Sequence, residues 1–66
     1  MTPRMTEFLK KAATAPWGKG IPVEKYDMRI AHKACREGYG WMITAPLRVF
    51  IIEQSGRLAI GDHRYE

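Results

Sequence analysis

The stretch Pro22-Val23-Glu24-Lys25-Tyr26-Asp27-Met28-Arg29-Ile30-Ala31-His32-Lys33-Ala34-Cys35-Arg36-Glu37-Gly38 decides the fold of this chain. Wound as one helix, it places Lys25, Arg29, His32 and Arg36 at i, i+4, i+7 and i+11, within about 60° of arc at ~100° per residue, with Lys33 beside them. Ile30, Ala31, Ala34 and Cys35 occupy the opposite side. A core face and a basic face thus share one short helix. An uninterrupted helix, however, would set Asp27 about 60° from Ile30, in the middle of the apolar face, where a lone carboxylate is costly. The conflict resolves if Asp27 is an N-cap. A short helix at 22–26 then ends there, a second runs from Met28 to Glu37, and Gly38 closes it as a C-cap glycine. Short helix, tight turn and longer basic helix form the outline of a helix-turn-helix. In that version Lys25 leaves the stripe, while Arg29, His32, Lys33 and Arg36 stay on it.

Upstream, Thr2-Pro3 is a helix start, with Thr2 as N-cap and Pro3 at the first helical position. Met5, Phe8, Leu9 and Ala12 follow at helical spacing and predict an amphipathic helix ending near Ala15-Pro16. Residues 16–22, with two prolines and two glycines, read as a loop pinned to the core by Trp17 and Ile21. Downstream, Trp41–Thr44 and Leu47–Ile52 are strand-like around an Ala45-Pro46 turn and predict a hairpin. Trp41, Ile43, Phe50 and Ile52 are the expected cover for Ile30 and Ala34. Residues 55–61 suit either a third strand after a Ser55-Gly56 turn or a short helix bounded by Gly61.

The fold class is therefore α+β: one domain over residues 1–66, with two or three short helices packed on a small antiparallel β-hairpin. Sixty-six residues leave room for one small core. The net charge is +4 and the pI near 9.6. The excess is placed unevenly: residues 1–20 carry +3, residues 21–38 carry +1, and residues 39–66 balance. A basic domain with its charge on one helix face has the electrostatic footprint of a nucleic-acid binder.

The single cysteine, Cys35, allows no internal disulfide and reads as a buried thiol in a reducing compartment. No signal peptide or transmembrane run is read in the chain, and the cytoplasm is the expected location. His32-x-x-Cys35 has a metal-like spacing, but one cysteine falls short of the usual structural zinc set. The same pair lacks an orienting third group for nucleophilic catalysis. No enzyme activity, metal or cofactor is expected.

The order helix, loop, short helix, basic helix and hairpin resembles the small bacterial winged helix-turn-helix DNA-binding proteins. The stretch Phe50-Ile51-Ile52-Glu53-Gln54-Ser55-Gly56-Arg57-Leu58-Ala59-Ile60-Gly61 is similar to the apolar strand and Thr-x-x-Gly-Arg-x-Ala-Leu-Gly that close the wing there. Thr2-Pro3-Arg4-Met5 is similar to the family's Leu-Thr-Pro-x-Gln start. Glu53 stands where the family has the Thr that caps the last helix. The resemblance implies a recognition helix from about Met28 to Glu37 in the major groove of double-stranded DNA, with Arg48 beside the hairpin turn as the wing contact. The expected role is a DNA-binding transcriptional regulator of bacterial or phage type, whose site residues are Lys25, Arg29, His32, Lys33, Arg36 and Arg48. The alternative is a protein-interaction module, an inhibitor or adaptor, docking on an acidic partner. It gains weight if residues 55–61 form a strand and if Leu47–Glu53 is an exposed edge. Whether the chain is a monomer or a homodimer stays open at this level.

Overall fold

Thr2 starts the first helix as its sequence requires: its hydroxyl accepts from the Met5 amide at 3.2 Å, and α1 runs Pro3–Ala12. Its apolar stripe, Met5, Phe8, Leu9 and Ala12, is buried. The helix stops at Ala12 rather than near Ala15: the Ala13 amide closes the last α-type bond, to the Leu9 carbonyl at 2.8 Å, and the Thr14 and Ala15 amides then turn to the Lys11 and Ala12 carbonyls in i→i−3 bonds. The computed structural model describes residues 1–64.

The next segment departs from the sequence reading. Ile21–Pro22 is not the start of a helix but a short strand, β1, antiparallel to β3 (Val49–Ile52), with Ile21 opposite Phe50 and Pro22 opposite Val49. Val23 continues the pairing by donating to the Arg48 carbonyl at 2.9 Å, and its side chain is buried. Proline suits this place because the strand lies on the sheet edge, where a missing N–H breaks no ladder. What was expected as a helix at 22–26 shrinks to a single 3-10 turn, Lys25–Asp27, which winds directly into α2 (Met28–Arg36).

Asp27 marks the boundary as expected but does not cap it. Its carboxylate makes no capping bond and instead faces Lys11 Nζ at 3.6 Å, tying α1 to the start of α2. The other end of α2 closes as the sequence requires. Gly38 has φ +82°, its amide bonds to the Cys35 carbonyl, and the Tyr39 amide bonds to the Ala34 carbonyl, which is the Schellman pattern.

β2 (Gly40–Ile43) pairs with β3 from Gly40 opposite Ile52 to Ile43 opposite Val49. The three-stranded antiparallel sheet has the order β1-β3-β2. β3 is thus the central strand, which overturns the reading of Leu47–Glu53 as an exposed edge. Residues 54–59 settle as helix: α3 spans Gln54–Ala59, so the third strand comes from Ile21–Pro22 and not from the tail. Glu53 precedes α3 without a side-chain cap. The Ser55 hydroxyl donates to the Gly38 carbonyl, joining α3 to the end of α2.

Phe50 and Ile52 face inward, and Phe8 meets Phe50 edge to face at 4.9 Å. Ala31 and Ala34 are fully buried under them, letting α2 lie close to the sheet. Trp41 and Ile43, expected in this core, lie outside it, 47% and 38% exposed. Strand parity is the reason. The Phe50 ring occupies the space that a side chain at residue 40 would fill, so Gly40 and Met42 face inward and their neighbours Trp41 and Ile43 face out.

Trp17 is also outside the core, 48% exposed, with its ring 5.9 Å from the Arg57 guanidinium. Arg57 is the buried member of that pair, at 1% exposure. It donates to the carbonyls of Ala13 (3.1 Å) and Ala15 (2.8 Å) and to the Asp62 carboxylate (3.0 Å). The guanidinium therefore fastens the end of α1 to α3. Arg64 joins the cluster through Asp62 and the Ala13 carbonyl.

Candidate nucleic-acid interface

α2 is nine residues long, about 13 Å at ~1.5 Å per residue. Its buried side is Ala31 and Ala34, with Ile30 and Cys35 packed partly against the core. Arg29, His32, Lys33 and Arg36 are all exposed. The change from 3-10 to α winding at Asp27 takes Lys25 off this stripe, although it too is exposed.

Arg29, Lys33 and Arg36 line an open groove of about 290 Å³ together with Arg4, Tyr26 and Ile30. Arg4 comes from the first turn of α1, and its guanidinium donates to the Tyr26 carbonyl at 2.9 Å, which holds the 3-10 turn against α1. Tyr26 is 69% exposed, so its ring stands in solvent beside four cationic side chains. Among the described residues no carboxylate lies within ion-pair distance of Arg4, Arg29, Lys33 or Arg36; the ion pairs are Lys11 with Asp27 and Asp62 with Arg57 and Arg64. Four uncompensated positive charges around one groove repel one another and attract an anion.

His32 is exposed on the same helix without lining this groove. Arg48 lies apart from it on the 44–48 loop between β2 and β3, exposed, with its carbonyl taken by Val23. The groove thus unites three of the six residues that the sequence singles out and adds two that it did not, Arg4 and Tyr26. Arg4 stands next to Met5 in the α1 pattern, and nothing local shows that the turn before α2 folds back onto it.

Cys35 is half-buried, and burial pushes its thiol pKa up, which disfavours the reactive thiolate. Among the described residues no group of three His, Cys, Asp or Glu side chains is placed to hold a metal ion. No helix among them is long and apolar enough to cross a membrane. Comparison with protein-family models, curated proteins and solved structures finds no match.

Proposed function

We propose that this chain is a small DNA-binding protein of winged-helix type that presents α2 to the major groove and acts as a transcriptional regulator in the cytoplasm. The observation that carries the reading is the groove of Arg4, Arg29, Lys33 and Arg36, within ion-pair distance of which lies no carboxylate of the described residues. The element order, the sheet order β1-β3-β2 and the helix at 54–59 support it.

Arg29 and Arg36 are seven residues apart, about 10 Å along the helix, or roughly three base-pair steps of ~3.4 Å. That spacing suits one arginine on a phosphate and the other forked onto guanine O6 and N7. Arg4 and Lys33 supply phosphate contacts that set register without reading sequence. His32 is placed for a second base-edge or phosphate contact, with Lys25 and Arg48 at the margins of the footprint.

The competing reading, an acidic protein partner, uses the same groove. It loses its other support because β3 is central rather than an edge. The test is the double variant Arg29→Ala/Arg36→Ala. Both side chains are exposed, so the circular dichroism spectrum is expected to stay that of the parent while duplex affinity falls at least tenfold at low salt. A double variant that binds as well as the parent removes α2 from the interface.

A further inference from the structure

The groove between α1 and α2 is not charged throughout. Tyr26, Arg29, Ile30 and Lys33 stand at i, i+3, i+4 and i+7 and so share one side of the 3-10 turn and the helix. Arg36 continues that side, and Arg4 faces it from α1. Tyr26 and Ile30 thus form an apolar end bordered by cations. Of the Phe, Tyr and Trp rings among the described residues, Tyr26 is the most exposed. The ring contacts among those residues are Phe8 with Phe50 and Arg57 with Trp17, so no protein group stacks on Tyr26.

The backbone beneath this ring is held. Arg4 donates to the Tyr26 carbonyl, the Asp27 amide closes the turn onto the Glu24 carbonyl at 2.9 Å, and Asp27 pairs with Lys11 of α1. An aromatic side chain has few rotatable bonds, and one on a fixed turn loses little freedom when a flat group settles on it. At about 290 Å³ the groove is at the small end of ligand sites, the size of one nucleotide rather than of a duplex.

Cations that contact phosphate serve paired and unpaired strands alike. The ring discriminates between them. Inside a duplex both faces of a base are covered by its neighbours, whereas an unpaired base offers a face to an aromatic side chain. A cationic groove with an aromatic platform is the combination that holds single-stranded nucleic acid.

We propose that the α1–α2 groove receives one unpaired DNA base, stacked on Tyr26 and flanked by Ile30, where a duplex opens into single strand. Phosphates on either side of that base lie on Arg4 and Lys33. Tyr26 precedes α2, so the base sits at the margin of the duplex footprint on that helix. This inference rests on the reading that the groove binds DNA and adds which DNA it prefers.

The test is fluorescence anisotropy at low salt with three DNAs built on one duplex: blunt, with a short thymidine overhang, and with an overhang of the same length whose nucleotides are abasic. The abasic overhang keeps the phosphates and lacks only the bases. The parent is expected to bind the thymidine overhang at least about fivefold more tightly than the abasic one. Tyr26→Phe, which keeps the ring, retains that preference, and Tyr26→Ala abolishes it while both variants still bind the blunt duplex. A parent that binds all three DNAs equally overturns the inference and leaves the duplex reading intact. A preference that survives in Tyr26→Ala overturns it as well, because the base then stacks elsewhere. Failure to bind any of the three overturns the DNA reading itself, this inference with it, and leaves the groove to an acidic protein partner.

Discussion

Replacing Arg57 with Met tests how the small core is held together. Arg57 is 1% exposed and donates to two carbonyls and one carboxylate. Met conserves much of the volume but removes the charge and every donor. The Ala13 carbonyl keeps Arg64 as a donor at 2.6 Å, whereas the Ala15 carbonyl loses the 2.8 Å bond from Arg57. Removing one partner from a buried charged network costs about 3–5 kcal/mol. The remaining Arg64 bond places this case at the low end, about 3 kcal/mol. A chain of this length has a total stability of roughly 3–10 kcal/mol, so the loss is a third of it or more. At roughly 4–8 °C per kcal/mol, the melting temperature should drop by more than about 10 °C. Arg57→Lys keeps the charge, but one ammonium cannot reproduce the fork to Ala13, Ala15 and Asp62, so about half the loss remains. Urea and thermal denaturation followed by circular dichroism measure both variants. If Arg57→Met costs less than about 1 kcal/mol, or stabilises the chain as some buried-pair replacements do, the clamp does not fasten α1 to α3.

Two further outcomes follow from the packing and the charges. Gly56→Ala sets a methyl group against the Tyr39 carbonyl and 2.8 Å from Ile52 Cγ1, a clash that backbone cannot easily relieve; the expected loss of unfolding free energy, measured by urea denaturation, is about 1–3 kcal/mol. Hydrogen bonds from Arg64, then from Arg57, hold the Asp62 carboxyl well below the ordinary carboxylate range. Between its folded pKa and an unfolded value of about 3.9, the unfolded chain therefore binds the extra proton. The stabilisation is complete above about pH 5 and is lost as pH falls below 4. Asp62→Asn should flatten the acid limb of the melting temperature against pH, and an unchanged limb would remove Asp62 from the pH dependence.

The sequence is most informative where the structure is local. Thr2-Pro3 and the Met5-Phe8-Leu9-Ala12 stripe specify α1, and Gly38 with the Ala31–Ala34 spacing specifies the end and buried side of α2. These features depend on neighbours within one or two turns. β1 was hidden because Ile21-Pro22 becomes a strand only when Val49 and Phe50, some 28 residues on, come alongside. Trp41 illustrates a different difficulty: hydrophobicity alone favours burial, and only the parity set by Gly40 beneath Phe50 turns it outward. Arg57 resembles any surface arginine in a polar tail until the end of α1 arrives over it with unfilled carbonyls. Of the basic groove, the α2 side chains were legible from helical spacing. Arg4 and Tyr26 were not, because a tertiary contact between α1 and the 3-10 turn brings them there.

The claim that α2 and its groove bind duplex DNA is tested most directly by a salt series. Binding to a random-sequence duplex, followed by fluorescence anisotropy from low ionic strength upward, reports both affinity and the number of phosphates neutralised. On a random-sequence duplex no guanine contact is fixed, so all four cations fall on phosphates; at about 0.9 each they predict a log–log slope of roughly −3 to −4, with dissociation constants near the micromolar range at low salt. Loss of both arginines in Arg29→Ala/Arg36→Ala should bring the slope down by about two. Absence of binding at low salt, or an affinity that does not change with salt, would contradict the account.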